Sequence, residues 1–268
     1  MKDVIKSVIL EWMNKDISGL IERNVDIPVN VPMVISIIGA RRSGKTYILY
    51  EVLHKLRKSG FDKNKIIYLN FEDERLDFKT PDLDLILQSY RELFPDNKLS
   101  ECYFFFDEIQ NVEGWEKFVR RIFDNYSRHI YITGSNSKLL GSEIATSLRG
   151  RTITYEVYPL SLKEYLKFKD VELDIYQPAN RSKIVHHTLN FIKKGSFPEL
   201  IDFPDKVRIK SLQAYFNTMI FRDIIERYKI SDPRILKYFI KKVYAGIGKS
   251  LSINKIYKDL RSMGYKIS

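Results

Sequence analysis

The chain has 268 residues, 44% of them hydrophobic and 29% charged, with 45 Lys plus Arg against 34 Asp plus Glu and a net charge of +11. These proportions exclude a disordered chain and describe a globular one, long enough for one large domain or two modest ones. The single Cys102 excludes an internal disulfide framework and any zinc site built from several cysteines, and no apolar run reaches the roughly 18 residues of a membrane-spanning helix.

The first residues, Met1 to Lys6, mix charges with apolar side chains and hold no signal-peptide core, so a reducing, cytoplasmic setting without membrane contact is expected. Val34 to Ile38 then reads as a buried strand, followed by a glycine-bearing loop and a helix from about Thr46 to Lys58. Ile66 to Phe71 forms a second strand and Leu83 to Phe94 a helix. Tyr103 to Phe106 is apolar on both faces, which places it centrally in a parallel sheet. Trp115 to Asp124 carries Trp115, Phe118, Val119 and Ile122 at helical spacing. Ile130 to Thr133 and Thr152 to Tyr158 complete five strands, and the alternation with helices predicts a doubly wound α/β fold over residues 1–159.

After Pro159 the texture changes. Ser161 is placed to cap a helix, no strand pattern follows, and Pro178, Pro198, Pro204 and Pro233 punctuate a run of helices, so residues 160–231 are expected to form a helical lid. One of these helices, Tyr215 to Arg227, carries Arg222. Ile235 to Val243 and Ile253 to Arg261 read as two further helices, with Ser252 as N-cap and Gly264 as a turn, in the pattern that opens a winged helix-turn-helix over residues 232–268. The charge is concentrated here. Residues 206–268 hold 15 Lys plus Arg against 4 Asp plus Glu, a balance of +11 that equals the net charge of the whole chain. A neutral body with a basic C-terminal quarter points to a polyanion, DNA above all, although a solvated lysine-rich helical surface has the same composition.

Gly39, Ala40, Arg41, Arg42, Ser43, Gly44, Lys45 and Thr46 fit the pattern G-x-x-x-x-G-K-[ST] in full, between a strand and a helix. Glycines let backbone N–H groups close around a β-phosphate, and the helix N-terminus adds its positive end. Lys45 can reach β- and γ-phosphates, and the Thr46 hydroxyl can join the shell of a Mg²⁺ ion. Asp107 and Glu108 follow the third strand, at the edge where open α/β sheets bind ligands. Asp107 is placed to hold Mg²⁺, and Glu108 to polarise an attacking water. Thr133-Gly134-Ser135-Asn136 ends the fourth strand, where a hydroxyl such as that of Ser135 could sense a γ-phosphate; an ordinary turn capped by Asn136 is the alternative. Arg149 and Arg151 precede the fifth strand, and either could act in trans as an arginine finger or form a surface ion pair. Arg222 could reach the γ-phosphate from the lid, or serve in a lid salt bridge. His54, His129, His186 and His187 lack ligand spacing and are read as structural.

Taken together, IIGARRSGKT, YLNFEDERL, FFFDEIQNVEGWEKFVRRIFD, ITGSNSKLL, LRGRTITYEVYPLSLKEYL, GSFPEL and FNTMIFRDIIERY resemble the AAA+-class archaeal ATPases related to the STAND NTPases, which carry a C-terminal winged helix-turn-helix. The resemblance covers nearly the whole chain in order. It implies a five-stranded parallel sheet in order 5-1-4-3-2 with a helical lid. It also implies that Pro198, in a motif with Ser196 where the family usually has a second glycine, packs near the adenine. Glu22 to Pro28, with Arg23, is similar to the family's N-terminal arm along the nucleotide. Ser268 falls at the N-cap of the family's recognition helix, so a truncated chain without a groove-reading helix is expected, with weak, non-specific DNA contact. The function implied is Mg²⁺-dependent binding and hydrolysis of ATP to ADP by an AAA+-type machine or switch near DNA, with a homo-oligomer if an arginine works in trans. A nucleotide-gated switch with slow turnover and a protein partner is the second reading.

Overall fold

The computed structural model of the chain describes residues 1–135, 144 and 146–265, apart from the side chains at 222, 223 and 227. It divides into two units, Met1–Ser211 and Leu212–Ser268. The first unit is built on five strands: β1 (Val34–Gly39), β2 (Ile66–Asn70), β3 (Tyr103–Asp107), β4 (Ile130–Ser135) and β5 (Thr152–Val157). All neighbours pair in parallel in the order β2-β3-β4-β1-β5, which reads 5-1-4-3-2 from the β5 edge.

β1, β3 and β4 are buried along their whole length, as parallel strands must be when helices cover both faces. Alternate side chains divide between two apolar layers. Ile35, Ile37, Phe105 and Tyr131 meet Ile48, Leu49, Val52 and Leu53 of α2 (Lys45–Lys58). Phe104, Phe106, Ile130 and Ile132 meet α3 (Asp84–Leu93) and α4 (Trp115–Asn125).

A helix absent from the sequence reading, α1 (Lys2–Met13), adds Ile5, Val8 and Ile9 to that second layer. Its Trp12 stacks on Tyr68 of β2 with ring centroids 3.8 Å apart, and so shields an edge strand that would otherwise face solvent.

Beyond β5, α5 (Leu162–Phe168) opens at Ser161 with a reciprocal capping box to Glu164, which satisfies two backbone donors at once. α6 (Pro178–Lys194) and α7 (Asp205–Thr218) follow, and α7 runs on as a π-helical turn over Met219–Ile225. The sequence pattern started this last helix at Tyr215. Asp205 to Ser211 is too charged to show an apolar period, so its first turns were missed. No strand follows β5 among the described residues. In the second unit, α8 (Pro233–Ala245) and α9 (Ile253–Ser262) are capped by the side chains of Asp232 and Ser252. Ile256 and Leu260 of α9 are buried, and Gly264 turns with a φ of +84°. No described helix is long and apolar enough to cross a membrane.

Candidate nucleotide-binding site

The strand order sets the site. β1 lies between β4 and β5, and β3 lies on the other side of β4, so the residues leaving β1, β3 and β4 gather at one edge of the sheet. β1 ends at Gly39, where a Cβ would lie 2.1 Å from the Val157 carbonyl oxygen on β5; no side chain fits. The chain then folds over the start of α2, with the Ser43 N–H donating to the Ala40 carbonyl at 3.2 Å. Gly44 takes a φ of +101°, a left-handed conformation open to glycine at little cost. The loop therefore wraps the end of α2 at which the first N–H groups lack partners inside the helix, a natural anion site.

Lys45 is almost fully buried, with Nζ 3.2 Å from Glu108 Oε1 and donating at 3.3 Å to the Ala40 carbonyl. It thus spans from the loop to the end of β3. Asp107 closes that strand inside a cage of hydroxyls. Tyr68 donates to Oδ2 at 2.8 Å and Thr133 to Oδ1, with the Thr46 hydroxyl close enough to act on the carboxylate's pKa. Burial pushes the Asp107 carboxyl up from its ordinary value; the hydroxyls of Thr133, Tyr68 and Thr46 pull against it, and the nearby Glu108 charge adds to it. Burial, with the Asp107 charge adding to it, also holds the Tyr68 phenol protonated, which keeps it a donor. Glu108 sits at a φ of +53°, a conformation that costs a non-glycine residue on the order of 1 kcal/mol or more. Its N–H donates to Thr133 Oγ1 at 2.8 Å, and its Oε2 accepts from the Gln110 amide. Strain held in place by such contacts is typical of residues that act on a ligand. Thr46 and Asp107 present two hard oxygen donors side by side, and Mg²⁺ takes few protein ligands beside phosphates and water, so the pair fits that ion.

Comparison with known proteins decides the family. A family model described as an AAA domain matches residues 32–166, half of the chain and the stretch from β1 into α5. The chain belongs to this AAA domain family. The family is one of P-loop ATPases, and the matched stretch includes the loop from Gly39 to Thr46. An uncharacterized protein of Methanocaldococcus jannaschii is 38% identical over 253 residues, covering 93% of this chain and 55% of that protein. An uncharacterized protein of Haemophilus influenzae is 34% identical over 227 residues, covering 84% of this chain and 54% of that protein. The chain spans about half the length of these curated relatives. Among solved structures, PCH-2 of C. elegans is similar at 14% identity and a TM-score of 0.46, over 77% of this chain and 60% of that one. AMPPCP-bound DnaA from Aquifex aeolicus is similar at 16% identity and a TM-score of 0.35, over 96% of this chain and 86% of that one.

The residues singled out from sequence fall into two sets, and a third set of residues at the site was not among them. Gly39 to Thr46, Asp107 and Glu108 come together as described. Ser135 is buried and stands opposite Gly39 in the β1–β4 register; Asn136 lies outside the described residues. Pro198 also belongs here, its Cγ lying 3.8 Å from where a Gly44 Cβ would be. Arg42 pairs with the adjacent Glu199 at 2.5 Å, and Arg41 with Glu72 at 3.6 Å.

The second set lies elsewhere. Arg149 and Arg151 precede Thr152, which pairs with Val34 at the opposite end of β1 from Gly39. A strand of that length spans ~17 Å, so neither arginine reaches the loop of its own chain. Arg149 is exposed at a φ of +52°, and Arg151 Nε donates to Asp124 at 2.9 Å. Arg222 lies in the second unit, and its side chain is outside the described residues.

The third set was missed. Thr133 was inside a noted stretch, yet Ser135 was chosen; it is the Thr133 hydroxyl that touches both acidic residues. Tyr68 and Gln110 carried only a faint signal, a polar aromatic in an aliphatic strand and an amide two residues past Glu108.

Proposed function

We propose that this AAA domain binds Mg²⁺-ATP and hydrolyses it in a cytoplasmic setting, as an AAA+-type machine or switch. One observation carries the reading: Lys45, Asp107, Glu108 and Thr133 form a single interlocked network at the mouth of the phosphate loop. Lys45 would exchange Glu108 for β- and γ-phosphate oxygens as the nucleotide enters. Thr46 and Asp107 would hold Mg²⁺, which neutralises phosphate charge when bound. Glu108, released from Lys45 and still held by Gln110, would orient a water and accept its proton. Ser135, next to Gly39, is the candidate γ-phosphate contact within the first unit. In this reading residues 1–159 carry the chemistry, 160–231 act as the lid and 232–268 are a partial winged helix-turn-helix.

The far-edge position of Arg149 and Arg151 favours a finger acting on a neighbouring copy in a homo-oligomer. Arg149→Ala and Arg151→Ala should each leave ATP binding intact, and one of them should depress phosphate release. Mixing that variant with Lys45→Ala protein should restore activity, because each defect lies in a different half of a shared site. No recovery at any mixing ratio would exclude such sharing and leave a slow, partner-gated switch as the better account.

In this reading the basic second unit would make the DNA contact. α9 buries Ile256 and Leu260 and exposes Lys255, Lys258 and Arg261. Binding of duplex DNA should be weak, indifferent to sequence, and linear in log affinity against log salt. With about six phosphate contacts the affinity should fall about 10³-fold between about 50 and 200 mM salt. Charge reversal at Lys255, Lys258 and Arg261 should flatten that slope; an unchanged slope would remove α9 from the contact.

A further inference from the structure

Arg23 sits in the arm between α1 and β1, yet it is buried and donates three side-chain hydrogen bonds to partners far away in sequence. Its side chain is 4% exposed and that of Glu164 is 5% exposed. Nε donates to Glu164 Oε1 at 2.7 Å, Nη1 to the Ser43 carbonyl at 2.9 Å and Nη2 to the Tyr158 carbonyl at 2.9 Å. Glu164 is equally engaged. Oε1 also accepts from the Asn24 N–H at 2.9 Å, and Oε2 from the Ser161 N–H and hydroxyl, each at 2.8 Å. Burial alone would raise the Glu164 carboxyl, but the bonds from Arg23, Ser161 and Asn24 outweigh it and hold it at about 2, ionised at any working pH.

Two features separate this arrangement from an arginine kept for a ligand. Each of the three guanidinium nitrogens already donates to a protein acceptor, and a buried ion pair held by this many bonds resists rearrangement. The guanidinium also lies directly behind the loop: a Cβ on Gly44 would meet Nη1 at 2.9 Å. Its acceptor, the Ser43 carbonyl, belongs to the peptide that leads into that left-handed glycine.

We propose that Arg23 and Glu164 are a positioning pair that sets the shape of the phosphate loop through the Ser43 carbonyl and ties that shape to the start of α5. Arg23 serves the nucleotide without touching it. The inference deepens the nucleotide-site reading and rests on it. A loop already shaped for the β-phosphate gives up less freedom on binding, so loosening it weakens every ligand that places a β-phosphate there.

Arg23→Lys keeps the charge but cannot reach Glu164, Ser43 and Tyr158 together. Glu164→Gln keeps the shape and removes the charge. Displacement of a fluorescent ADP analogue by ADP, ATP and inorganic pyrophosphate, with thermal unfolding on the same samples, tests the pair. Each variant should lose about tenfold in affinity for all three ligands, the size expected for one lost charge-assisted bond, and the double variant should lose little more than either single one. Loss for ATP alone would mean that Arg23 touches the γ-phosphate. Loss for the nucleotides but not pyrophosphate would place it against the base or ribose. Wild-type affinity in folded Arg23→Lys, or additive losses in the double variant, would make the pair merely structural. Each of these results overturns the proposal. Should Arg23→Lys fail to fold, Glu164→Gln and Ser161→Ala, which removes one donor to Glu164, provide the same comparison. Lys45→Ala run alongside separates the claims: if it keeps wild-type affinity for ADP, the nucleotide site itself is misassigned.

Discussion

Lys45→Ala should reduce ATP affinity by about 10²- to 10³-fold, because a cation about 4 Å from a phosphate contributes up to ~4 kcal/mol at an effective dielectric of about 20. The loss has two sources. The ammonium that meets the phosphates is gone, and Glu108, now 3.2 Å from Lys45 Nζ, would face the incoming anion with no cation between them. Fold stability should change little if the vacated volume admits water to solvate the Glu108 carboxylate. Equilibrium titration with a fluorescent ATP analogue checks this directly, and wild-type affinity in the variant would remove the loop from nucleotide binding.

Glu108→Gln should separate binding from turnover. The amide keeps the volume and one acceptor oxygen but cannot take a proton from water, so hydrolysis should fall by about 10²-fold or more. ATP affinity should stay equal or tighten, since a negative charge next to the phosphates has been removed and Lys45 no longer has to leave a carboxylate. Rapid filtration of bound ATP beside phosphate release distinguishes the two quantities. Turnover at the wild-type rate would take Glu108 out of the mechanism.

Much of the first unit is legible in the sequence because buried parallel strands leave a plain signature. Val34 to Ile38, broken only by Ser36, Tyr103 to Phe106 and Ile130 to Ile132 are nearly continuous apolar runs, and each is followed by a polar or glycine residue toward the ligand-binding edge. The phosphate loop is legible for a related reason, since its geometry admits few residues: Gly39 has no room for a Cβ, and Gly44 takes a left-handed φ. What sequence hides is contact across long separations. The Tyr68 and Thr133 hydroxyls meet at Asp107 only because β2, β3 and β4 lie in register. Arg23 and Glu164 are 141 residues apart; within its own neighbourhood Glu164 is only the third residue of a helix cap. α1 escaped notice although its buried face, Ile5, Val8, Ile9 and Trp12, has helical spacing, because the mixed charges of Met1 to Lys6 were weighed only against a signal peptide. Arg149 and Arg151 could be named but not placed. Their remoteness from the loop of their own chain follows from the start of β5 pairing with the start of β1.

In this mechanism one network of Lys45, Asp107, Glu108 and Thr133 both binds and cleaves ATP. Phosphate release measured together with bound nucleotide, at saturating ATP with and without Mg²⁺, tests it most directly in the wild-type chain. The account predicts ATP occupancy with steady release of phosphate that depends on Mg²⁺ and disappears on chelation. Full occupancy without any phosphate release in Mg²⁺, at every protein concentration tried, would contradict it and leave a nucleotide-binding switch in its place.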